Sequence, residues 1–88
     1  MSVTLRADVA MTDTDTGLVL LDERTGKYWQ TNSTGAFVLH QLLGGTPGPE
    51  VVSLLRRRYS VDAEQAGADV DGLVGRLRSA GLITVGRR

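Results

Sequence analysis

Residues 17–32, GLVLLDERTGKYWQTN, decide how the rest of the chain is read. Two apolar runs, 18–21 (LVLL) and 28–31 (YWQT), flank a connection in which Gly26 can take the positive φ that a tight turn requires. The segment predicts a β-hairpin. Tyr28 and Trp29 are adjacent, so on a strand they face opposite sides. Two of the chain's four aromatic residues are thus gathered on one strand, residues 26–31.

Working outward, residues 3–10 (VTLRADVA) alternate through Val3, Leu5, Ala7 and Val9, the period of a half-buried strand. The following MTDTDTG is polar and ends in glycine, so it reads as a loop. On the other side, Asn32 is a good helix N-cap, and Gly35, Val38, Leu39 and Leu42 recur with helical period up to Gly44-Gly45. A second helix is expected from Thr46, with Pro47 and Pro49 in its first turn. It carries Val51, Val52, Leu54, Leu55 and Tyr59, with Arg56, Arg57 and Arg58 on its other face. Asp62 caps a third helix whose apolar stripe is Ala66, Val70, Leu73, Leu77 and Ala80, ending at Gly81. Gly67, Gly72 and Gly75 weaken that helix or let another backbone approach it. Residues 82–85 form a short terminal extension.

Three strands followed by three helices make the fold class α+β: a three-stranded antiparallel sheet must bury its apolar face against the helices. The 88 residues are expected to form one domain, 1–88. Ten basic and ten acidic residues cancel, which disfavours a generic nucleic-acid binder. No apolar run is long enough for a membrane span or signal peptide, and the chain has no cysteine, so a cytoplasmic location is expected.

The search for chemistry finds little. His40 is the only histidine, and no second metal ligand stands at helical spacing from it. Ser33, Ser53, Ser60 and Ser79 lie in no motif that activates a hydroxyl. Asp13-Thr14-Asp15-Thr16-Gly17 has the start of a calcium loop without the closing glutamate, and no glycine-rich phosphate cradle is present. The expectation is a protein that is not an enzyme and holds neither metal nor cofactor. The arginine triplet reads as a solvated helix end, or as a contact for an acidic partner or nucleic acid. A more specific feature is the strand of residues 26–31: as a sheet edge, its unpaired backbone groups would accept a strand from another peptide.

The run from Gly17 to Leu39 resembles the centre of the PqqD-like family: a strand ending in Leu-Asp, a turn to Gly, an aromatic strand, then Asn leading into a helix with Gly-Ala. Later pieces agree, among them Arg58-Tyr59, Val61-Asp62, Asp69-Val70 and the ending Leu77-x-x-Ala80-Gly81-Leu82-Ile83. Thr31 departs from the pattern, in which leucine is commoner. The resemblance implies a winged helix-turn-helix-like arrangement that binds the leader of a ribosomally synthesised precursor peptide as an added antiparallel strand. It places the groove on Lys27, Tyr28, Trp29, Gln30 and Thr31, and on Asp69, Val70, Leu73, Val74 and Leu77. Val74, beside the apolar stripe, is expected to form an exposed apolar flank, with room given by Gly67 and Gly75.

Within the family the chain is most similar to the stand-alone recognition proteins of lasso-peptide biosynthesis. That implies as partners the leader, a separate leader peptidase of transglutaminase-like fold and an ATP-dependent cyclase. The alternatives are a pyrroloquinoline-quinone-type peptide chaperone for a radical enzyme, and a winged-helix DNA reader. Glu64, Asp69 and Asp71 on the third helix disfavour the last.

Overall fold

Residues 2–86, described by the computed structural model, form β1 (Ser2–Leu5), β2 (Val9–Thr14), β3 (Gly17–Asp22), β4 (Lys27–Asn32), α1 (Ser33–Leu43), α2 (Gly48–Tyr59), α3 (Ala63–Ser79) and β5 (Ile83–Gly86). The hairpin is β3–β4, in register from Gly17 opposite Asn32 to Asp22 opposite Lys27. Its turn is built by Asp22, whose backbone carbonyl accepts from the N–H groups of Thr25 and Gly26. Gly26 sits at φ +75°, where a side chain would be strained. A Cβ on Gly17 would collide with the Thr31 backbone carbonyl, so only glycine lets β4 approach there.

β2, β3 and β4 form one antiparallel sheet in that order. β1 and β5 pair as a second, two-stranded sheet that joins the two ends of the chain, Val3 opposite Val85. The fold is therefore α+β with three helices, but three expectations need correction. The continuous strand over residues 3–10 is broken, because the Arg6 N–H turns away to the Leu82 carbonyl and the Val9 N–H bonds back to Arg6. The expected loop after it is the second half of β2, which meets β3 through a two-residue turn, Asp15-Thr16. The terminal extension is strand β5, so the helices are followed by a strand.

The helix ends follow side-chain chemistry. Asn32 Oδ1 accepts from the Gly35 N–H at 2.9 Å and Asp62 Oδ1 from the Gln65 N–H at 2.8 Å, each satisfying a first-turn donor. Pro47 precedes α2 rather than lying within it, since its extended ψ of 146° cannot continue a helix. Leu18 and Leu20 from the inner face of β3 meet Val38 and Leu39 of α1, Val51 and Leu55 of α2, and Ala66, Val70, Leu73 and Leu77 of α3 in one core. Burying each of the larger side chains stabilises the fold by about 1.5–3 kcal/mol.

Candidate functional site

β4 pairs with β3 along one side only, and among the described residues its outer edge has no strand partner. That edge presents free backbone donors and acceptors, the requirement for strand addition. Tyr28 and Gln30 point away from the core, Tyr28 with 69% of its surface exposed, whereas Trp29 and Thr31 are half-buried on the inner side.

Two clefts lie along β4, the first facing α3 and the second facing the turn that follows it. The first, of 390 Å³, is lined by Thr31 and Asn32 from β4, Thr34, Gly35 and Val38 from α1, Tyr59 and Val61, and Ala68, Asp69, Leu73 and Arg76 from α3. The second, of 250 Å³, lies at the start of β4, between Asp22, Thr25, Lys27, Tyr28 and Trp29 and the turn after α3 at Ala80 and Leu82. Together they trace a groove in which β4 and α3 run in opposite directions. Gly35 packs against the Thr31 side chain so closely that a Cβ there would overlap its hydroxyl. Thr31, polar and small, is therefore matched to Gly35.

Of the residues expected at a groove, Lys27, Tyr28 and Trp29 line the second cleft, and Thr31, Asp69 and Leu73 the first. Gln30 lines neither and is exposed on the outer sheet face. Val70, Val74 and Leu77 are 2%, 8% and 0% exposed and belong to the core. The expected apolar flank at Val74 is therefore absent: α3 is packed by α2 on one side and β5 on another, so a wider arc is buried than the single stripe. Ala80, placed on that stripe, is instead exposed and lines the second cleft.

Arg76 was not anticipated, although its spacing of seven from Asp69 and three from Leu73 puts it on the same helical face. Val38, Tyr59, Val61 and Leu82 also line the clefts, brought there by tertiary packing that no local pattern signals.

The charged groups nearby are structural in character. Asp22 Oδ1 accepts from the Arg24 backbone N–H at 3.0 Å and Nε at 3.2 Å, and its Oδ2 accepts from Nη2 at 3.2 Å. These bonds hold the Asp22 carboxyl below its ordinary 3.8 against the opposing effect of desolvation, and raise the Arg24 guanidinium. His40 Nε2 lies 2.7 Å from Asp13 Oδ1, tying α1 to β2. Among the described residues no three His, Cys, Asp or Glu side chains converge on a possible metal position, and no helix is long and apolar enough to cross a membrane.

A family model described as coenzyme PQQ synthesis protein D (PqqD) matches residues 17–83. The solved structure "Lasso peptide synthetase B1 complexed with the leader peptide" superposes with a TM-score of 0.91 at 35% identity, covering 97% of this chain and 100% of that one. The structure "TbiB1 in Complex with the TbiA(beta) Leader Peptide" superposes with a TM-score of 0.84 at 24% identity, covering 97% and 99%, and bears on the fold alone. No match is found among curated proteins.

Proposed function

Because the chain belongs to the PqqD family, we propose that it is a non-catalytic domain that captures the leader of a ribosomally synthesised precursor, in a lasso-peptide pathway, as an antiparallel strand added to β4. The observation that carries this reading is the open edge of β4 facing α3 across a groove. The similar lasso peptide synthetase B1, solved with a leader peptide, supports the same class of ligand. Backbone groups of residues 27–31 would pair with the leader, while Asp69 and Leu73 face it from α3. Val70, Val74 and Leu77 act from beneath, fixing the helix wall. A cytoplasmic role beside a leader peptidase of transglutaminase-like fold and an ATP-dependent cyclase completes the proposal.

The winged-helix-like reading of the helices and hairpin does not favour DNA, because Glu64, Asp69 and Asp71 are exposed on α3.

Strand hydrogen bonds and buried apolar anchors must outweigh the cost of ordering the leader and of association. Binding of about micromolar strength or tighter is expected. Calorimetry with the leader of the cognate precursor should show it, with the leader recovered intact by mass spectrometry. Absence of heat with the leader at roughly 100 µM, a hundredfold above a micromolar Kd, or a cleaved leader, would contradict the proposal.

A further inference from the structure

Asp69 and Arg76 line the first cleft on either side of Leu73, both exposed. Neither forms an ion pair with any other described residue: Asp69 Oδ1 accepts only a neutral hydrogen bond, from Gln65 Nε2 at 2.8 Å. Arg76 has room to lie along the helix because residue 72 is glycine. A Cβ there would come within 3.3 Å of Arg76 Nη1. The groove wall therefore reads acid, apolar, base along the direction of α3.

We propose that this wall selects the charge order of the bound peptide, a basic residue first, then an apolar one, then an acidic one toward the C-terminus. The inference rests on the antiparallel strand addition proposed above. β4 runs opposite to α3, so a strand antiparallel to β4 runs with α3 and meets Asp69 before Leu73 and Arg76. Seven helical residues rise roughly 10 Å, the reach of about three residues of extended strand. Side chains facing α3 alternate, so the two peptide charges stand two to four residues apart. Reversing the order would oppose like charges at both ends of Leu73.

A display library of peptides randomised at every position, panned against the full chain, tests this directly. Enriched peptides are then mapped by amide shifts on the protein. The expected set carries base, apolar and acid in that order and shifts β4. Arg76→Gln should weaken an enriched peptide about two- to fivefold, and panning against Arg76→Glu should exchange the acidic preference for a basic one. Arg78→Gln, exposed on α3 but outside the cleft, should change neither. Thermal unfolding confirms that each variant folds, as expected for exposed positions. Peptides that shift β4 without a charge order, or with an order unchanged in Arg76→Glu, overturn this inference and leave strand addition standing. Peptides that leave β4 unshifted, or no enrichment at all, overturn both.

Discussion

Asp22 is 5% exposed and is the buried charged residue among those described, so its hydrogen bonds to Arg24 decide whether the hairpin turn holds. The same arginine reaches the Gly81 carbonyl at 3.4 Å, linking the β3–β4 turn to the turn after α3 at the mouth of the second cleft. Because the folded carboxyl titrates below its ordinary 3.8, the stabilisation is fully present above that value and is lost as pH falls through the lower folded one. Asp22→Asn should therefore lower the thermal midpoint at neutral pH, with the gap to the native protein closing as the solution is acidified past 3.8. Circular dichroism melts across that range check it. A gap of constant size at every pH would mean that the carboxylate's charge is not what stabilises the turn.

α3 has two kinds of surface, and substitutions distinguish them. Nothing lies within 4 Å of a Cβ built on Gly67 or Gly75, so these glycines accommodate no neighbour and only weaken the helix. Gly75→Ala should stabilise the protein by about 0.5–1 kcal/mol. Val74→Asp, one residue away, puts a carboxylate into the core without a partner and should destabilise it by several kcal/mol. Urea unfolding midpoints test the pair; a well-folded Val74→Asp protein would contradict the burial of that face. The apolar stripe of this helix was legible in the sequence because period alone defines its centre. Its width was not, because α3 packs against both α2 and β5, which buries Val74 as well as the stripe, and neither packing leaves a local mark.

The two small sheets divide the molecule between local and distant pairings. The β3–β4 hairpin was legible to its turn residues, since Asp22 and Gly26 act on their immediate neighbours. β1–β5 was not, for it pairs the start of the chain with its end, and the alternation of Val3, Leu5, Ala7 and Val9 runs through the break without a sign. The polar Thr12, Asp13 and Thr14 hid the end of β2, an edge strand exposed on its outer face. Of the groove, the strand wall and its open edge could be anticipated from the hairpin. Of the helix wall, Asp69 and Leu73 were legible and line the first cleft, whereas Val70, Val74 and Leu77 are buried in the core and Ala68 and Arg76 line the cleft unanticipated.

Strand addition at β4 is the claim on which the rest depends, and amide hydrogen exchange followed by NMR, with and without the precursor leader, tests it most directly. The bound leader should slow exchange at alternate amides of residues 27–31, those pointing away from β3, and shift resonances along residues 69–76 in the same titration. Unchanged exchange along β4 with shifts confined to residues 56–59, at the arginine end of α2, would contradict it.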